Sequence, residues 1–236
     1  MIKMIKELLK KEKYNFEDLK EIMRILRSED GCPWDREQTH ESIRNDFIEE
    51  VYEAIEAIDD NNSELLKEEL GDTLLQVVFH SQISEEAGEF DIGDVCDEIC
   101  KKLIIRHPHI FSDTVADNSE QVLSNWENIK IKEKGYTDDN EYIESVAKSL
   151  PALIRAEKIQ KRLIKRKLKA KPAPEDIIKK LGDNLECLKN NGFTVDSDTI
   201  GSMLYDIVSL ANAYDIEPEQ ALYEFNKKTI KIMSKK

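Results

Sequence analysis

Two short runs of carboxylates hold the residues of this chain best suited to chemistry: Glu49-Glu50-Val51-Tyr52-Glu53 and Glu68-Glu69-Leu70-Gly71-Asp72. Residues three or four apart share one face of a helix, so Glu50 pairs with Glu53, Glu49 lies close to Glu53, and Glu69 pairs with Asp72. Gathering such groups raises their pKa values unless a cation compensates. An all-oxygen donor set suits magnesium, a hard ion that keeps water ligands and is commonly shared with substrate phosphates. Such an ion also acidifies a bound water. The competing reading is a solvated acidic face, because Glu49, Glu50, Glu53 and Glu56 lie roughly opposite the stripe Ile48, Val51, Ile55 and Ile58. The second run counts against it. After Asp72 the chain continues Thr73-Leu74-Leu75-Gln76-Val77-Val78-Phe79, apolar nearly all round, which marks a buried helix whose first acids approach a core. Gly71 inside this run costs about 1 kcal/mol relative to alanine and is expected to permit a close backbone approach.

The elements that must position these acids read as helices. Apolar periodicity predicts them over 16–27, 41–59, 64–84 and beyond, 95–106, 119–134, 153–168, 177–188, 197–214 and 218–230. Gly31 and Pro33 mark a loop, Gly88 to Gly93 a break, and Pro108 a stop. The turn Asp59–Ser63, with Ser63 as expected N-cap, makes the two acid-bearing helices antiparallel neighbours. No segment alternates with period two between turn signals, so the expected fold class is all-α. The domains are expected as a short extension over 1–15, a catalytic module over 16–150 and a second helical domain over 151–236.

Composition narrows the function. The chain has 236 residues and a net charge of −14. An acidic surface repels polynucleotides, so no nucleic-acid partner is expected. The basic stretch Arg155–Lys171, with one acid, Glu157, reads as a solvated helix and linker. The four cysteines form no disulfide framework. The N-terminus lacks the features of a signal peptide, and no window approaches a membrane span. A cytoplasmic protein without membrane contact is expected.

Around the acidic runs the chain resembles the MazG family of nucleoside triphosphate pyrophosphohydrolases. The resemblance rests on Glu49-Glu50-x-x-Glu53 followed by Glu69-x-x-Asp72, on Gly31-Cys32-Pro33-Trp34-Asp35 with Gln38-Thr39, and on Phe79-x-x-Gln82. It continues through Arg106-His107-Pro108-His109-Ile110-Phe111, Trp126-Glu127-x-Ile129-Lys130 and Ser149-Leu150-Pro151-Ala152-Leu153. It is strong over 16–160 and weak beyond. It implies a four-helix-bundle-like catalytic module, a homodimer, and hydrolysis of nucleoside triphosphates between the α and β phosphates to a monophosphate and pyrophosphate. It implies Mg2+, with Mn2+ as its substitute, held by Glu50, Glu53, Glu69 and Asp72. Glu49 and Glu68 match adjacent family acids that position nucleotide, metal or water, and Glu53 or Glu49 is the expected base. Lys102 and Arg106, four apart on one helix, match basic positions that would meet phosphate, with Lys130 a further candidate. Trp34 is the candidate for stacking on the base, ahead of Trp126.

The second half departs from the family's two-module pattern. Lys179-Lys180-Leu181-Gly182-Asp183 lacks the leading acids, and Ser202 follows Gly201 where an aspartate is expected. A degenerate module that supports or dimerises is therefore expected. Two metal alternatives are weaker. Glu37-x-x-His40 lacks the partner pair of a di-iron site, and Cys96, Cys100, His107 and His109 follow no short zinc spacing, the cysteines suiting a helix interior. A nucleotide-binding regulatory or structural protein with little turnover is the rival function. A narrower specificity, as in the related all-α dUTP and dCTP pyrophosphatases, is disfavoured by the Gly-Cys-Pro-Trp-Asp segment.

Overall fold

The computed structural model describes residues 2–190, 192 and 194–233. Among them it contains thirteen helices and no strand, so the fold is all-α. The chain divides into two compact units, Met1–Trp126 and Glu127–Lys236.

The first unit holds α1 (Ile2–Leu8), α2 (Phe16–Leu26), α3 (Pro33–Glu37), α4 (Arg44–Asp59), α5 (Ser63–Glu86), α6 (Ile92–Arg106) and α7 (Pro108–Phe111). Helix α8 (Ser119–Lys134) begins in it and ends in the second unit. The long α5 is the centre, packing against α2, α4 and α6. Its core joins Met23 of α2, Ile43 before α4, Val78 and Phe79 of α5 and Ile92 of α6, with Leu19, Leu75 and Val95 packed around them.

Local chemistry fixes where these helices start. Asn15 and Asp18 close a reciprocal capping box on α2, each side chain accepting the other's backbone N–H at 3.1 and 3.0 Å. Asp91 and Asp94 do the same for α6. The α4–α5 turn is tighter than expected. Asn61 takes the left-handed conformation (φ 51°), which asparagine tolerates better than most residues. The Asn62 N–H bonds the Ala57 carbonyl at 2.9 Å. Asn62, not Ser63, is the N-cap, its side-chain oxygen accepting the Leu65 N–H at 3.2 Å; an extended residue is needed there, and Ser63 is already helical.

The second unit contains α9 (Asp139–Glu144), α10 (Ala152–Lys165), α11 (Pro174–Asn190), α12 (Ser197–Ala213) and α13 (Pro218–Met233). Helix α12 packs on α10, α11 and α13. Buried Tyr142 donates to Glu127, with the Arg162 guanidinium 4.4 Å above its ring. Several bases of the 155–171 stretch have intramolecular partners: Arg162 donates to the Tyr142 carbonyl and the Ser145 hydroxyl, Arg166 pairs with Asp139, and Lys161 with Glu157.

Three expectations change. The stripe Ile48, Val51, Ile55 and Ile58 is exposed, and α4 buries Ala54 and Ala57 instead. Small residues let α4 lie close to α5, and Glu50 sits half-buried one turn before Ala54 on that packing side, while Glu49, Glu53 and Glu56 stay exposed. Helix α5 is not buried all round either: Leu70 and Leu74 are exposed, while polar Glu69, Gln76, Ser81 and Ser84 are buried. Finally, a Cβ on Gly71 would meet nothing within 4 Å, so no close backbone approach explains that glycine. Gly31 is the residue that does sit tight, where a Cβ would fall 2.3 Å from the Ile25 and Leu26 carbonyl oxygens.

Candidate metal centre

The antiparallel α4–α5 pair brings the two acidic runs together. One carboxylate oxygen each from Glu50, Glu69 and Asp72 lies within 4.8 Å of the others, the one such group of three among the described residues. Glu53 lies close enough to act on Glu69 and raise its pKa.

The electrostatics match this crowding. The Glu50 carboxyl is pushed above its ordinary range by burial first, then by Asp72, Glu53, Glu49 and Asp46. Glu69, which is buried, is pushed the same way by burial, then by Glu53 and further by Asp72 and Glu50. The charged neighbours that raise these two carboxyls are all acids. Oxygen donors at this separation fit a hard divalent cation, and the raised pKa values mark the charge that such an ion would balance. Asp46 is an acid that sequence reading passed over. It precedes Glu50 by one helical turn, and that i, i+4 spacing was the available signal.

Other candidates have different surroundings. Glu49 and Glu68 are exposed on their helices. Lys102 pairs with Glu98 one turn earlier on α6. Arg106 lies over the Trp126 ring at 5.5 Å, and His107 meets the same ring edge-on at 4.8 Å, so Trp126 is engaged within its own unit. Trp34 stands 58% exposed on α3, open to a ligand. Lys130 belongs to the second unit and faces Glu127. Cys96 and Cys100 are exposed rather than helix-interior. His40 turns to His80, their Nδ1 atoms 2.7 Å apart.

In the second unit α11 carries Lys180. Its ammonium bonds the buried Asp206 of α12 at 2.8 Å.

Comparison with known proteins agrees with this geometry. Residues 38–111, which contain both acidic runs, match the MazG nucleotide pyrophosphohydrolase domain. The chain is 42% identical over 221 residues to a nucleoside triphosphate pyrophosphohydrolase/pyrophosphatase, MazG, of Thermotoga maritima, covering 93% of this chain and 84% of that one. It is 48% identical over 142 residues to the nucleoside triphosphate pyrophosphohydrolase of Escherichia coli K12, covering 60% and 54%. An uncharacterized Bacillus subtilis protein, YabN, is 40% identical over 227 residues, of which this chain spans only 46% of the length. No helix among the described residues is long and apolar enough to cross a membrane. With two acidic runs converging on one seam inside the matched region, and a relative aligned over most of both chains, this protein belongs to the MazG family of nucleotide pyrophosphohydrolases.

Proposed function

We propose that the protein hydrolyses nucleoside triphosphates at the α–β phosphoanhydride bond, giving a nucleoside monophosphate and pyrophosphate. The convergence of Glu50, Glu69 and Asp72 within 4.8 Å, in a chain 42% identical to a named pyrophosphohydrolase, carries this reading. Glu50, Glu53, Glu69 and Asp72 would hold Mg2+, with Mn2+ able to replace it. A bound ion of this kind neutralises phosphate oxygens and acidifies water. The chain's own residues do the rest. Glu49 or Glu53 accepts the proton of the attacking water. Lys102 and Arg106 attract the leaving phosphates, while Glu68 orients the nucleotide and Trp34 stacks on the base.

The working form is proposed to be a homodimer in the cytoplasm. Ile48, Val51, Ile55 and Ile58 share one side of α4 by their helical spacing and are exposed, as are Leu70 and Leu74 one turn apart on α5, more than single scattered residues would explain. The second unit, 151–236 in the sequence reading, is proposed as a module that has lost its metal set, with Lys180 paired to Asp206.

Product analysis tests the reaction. A panel of nucleoside triphosphates with magnesium should yield monophosphate and pyrophosphate, and EDTA should stop it. Release of diphosphate and orthophosphate would overturn the bond assignment. Nucleotide binding without any turnover would instead favour the regulatory reading.

A further inference from the structure

A histidine pair outside the carboxylate cluster has no part in the reaction above. His40 lies in the connection between α3 and α4, and His80 lies forty residues away on α5. Their rings are nearly parallel, 4° apart, and meet edge to edge at a centroid distance of 5.0 Å. The two Nδ1 atoms are 2.7 Å apart, and the Ser84 hydroxyl sits 3.3 Å from His40 Nε2. Phe47 closes over His80 at 5.6 Å.

A contact between two Nδ1 atoms holds only if one carries a proton and the other does not. Two neutral rings satisfy this with complementary tautomers, and so does a pair carrying one extra proton. A second extra proton sets N–H against N–H and charge against charge. Burial and then His40 hold the His80 ring below its ordinary range. The charged groups around the pair are few. Glu41 follows His40, its carboxylate lowered by hydrogen bonds from its own backbone and Thr39, with smaller effects from His40 and from Arg44 of α4. From α2 comes Arg27, paired with Glu86 of α5 and bonded to the Gln38 carbonyl at 3.1 Å.

The pair ties down a particular stretch of chain. Gly31 is wedged against the end of α2, and the Cys32 N–H bonds the Leu26 carbonyl at 2.7 Å. Arg27 also donates to the Asp35 carbonyl. The stretch between these ties carries the exposed Trp34. We propose that His40 and His80 are positioning residues, whose shared hydrogen bond latches the Gly31–Ser42 segment onto α5 and so presents Trp34 to the nucleotide base. This rests on the reading that Trp34 meets substrate. The latch holds with one extra proton and opens with two.

The consequence is a substrate affinity that falls in acid. Below the pair's lower macroscopic pKa, the competent fraction drops with one proton, and KM rises by about tenfold per pH unit. The carboxylates add their own pH dependence, so the diagnostic is a comparison of wild type with His80→Gln. Glutamine offers His40 an amide donor that does not titrate, and the extra acid limb in KM should vanish while the acid limb of kcat stays. Hydrogen exchange on the wild-type chain makes the latch testable without turnover or a variant. Protection across 31–42, corrected for intrinsic rates, should be present at about pH 7.5 and fall on acidification as the pair takes its second proton. Protection that stays unchanged over the whole acid range in which the fold persists, or superimposable KM profiles for wild type and His80→Gln, would overturn the proposal. If the protein turns over no nucleoside triphosphate, the functional reading fails, and the exchange measurement still decides the latch.

Discussion

Ile55→Asp tests the exposed face of α4. Ile55 lies between Val51 and Ile58 on that face and is 36% exposed, while the residues that pack α4 onto α5 are Ala54 and Ala57. Full burial of an isoleucine side chain contributes about 1.5–3 kcal/mol, so covering the exposed third contributes about 0.5–1 kcal/mol. A twofold interface contains the residue twice, which doubles this to about 1–2 kcal/mol. A carboxylate without a partner adds a desolvation cost of about 1–3 kcal/mol or more per copy. The total, at least about 3 kcal/mol, weakens association by about a hundredfold or more. Ile55→Ala, which loses only the apolar contribution, should weaken it by about five- to thirtyfold. Sedimentation velocity over a concentration series reads both changes, with circular dichroism melts as the check on folding. Wild type should sediment as a dimer and Ile55→Asp as a folded monomer. Identical sedimentation of all three chains would refute the reasoning. Unfolding of Ile55→Asp would show that the face is internal.

The same geometry sets three further outcomes. Glu50 and Glu69 have carboxyls raised above the ordinary value of 4.5 in the folded chain. Their contribution to stability is therefore most favourable below that value and is lost as pH rises through the raised ones. A divalent cation reverses the loss, so calorimetry should show a magnesium-induced rise in Tm that grows with pH across this window; a rise independent of pH would contradict the cluster's role. Gly71→Ala should stabilise the fold by up to about 1 kcal/mol in denaturant unfolding, because its Cβ meets nothing within 4 Å; destabilisation would place a neighbour there. Arg27→Met should cost about 3 kcal/mol in the same assay, since the buried guanidinium holds Glu86 and the Asp35 and Gln38 carbonyls together; a neutral result would mean that the clamp contributes nothing.

Much of this architecture was readable from local pattern. The long helices announced themselves by period, and α8 occupies the expected span of 119–134. The short ones did not. Pro33 and Pro108 were read as punctuation, yet each opens a helix at its first position, where a missing N–H costs nothing. Helix α9 hides in a polar stretch, capped by Asp138. In the site, i, i+3 spacing identified the acids but not the rotation of α4. Size alone predicts that the large apolar residues face inward, whereas two alanines set the packing and leave the isoleucines outside. The His40–His80 contact joins residues forty apart, and no local pattern reports such a pair.

The most direct test of the account is pyrophosphate release by Glu50→Gln and Asp72→Asn beside wild type, with magnesium binding followed by calorimetry on the same samples. Both variants should fold, bind magnesium weakly and release no pyrophosphate above background. Retained magnesium affinity and turnover in both would contradict the claim that the carboxylates between Glu49 and Asp72 carry the chemistry.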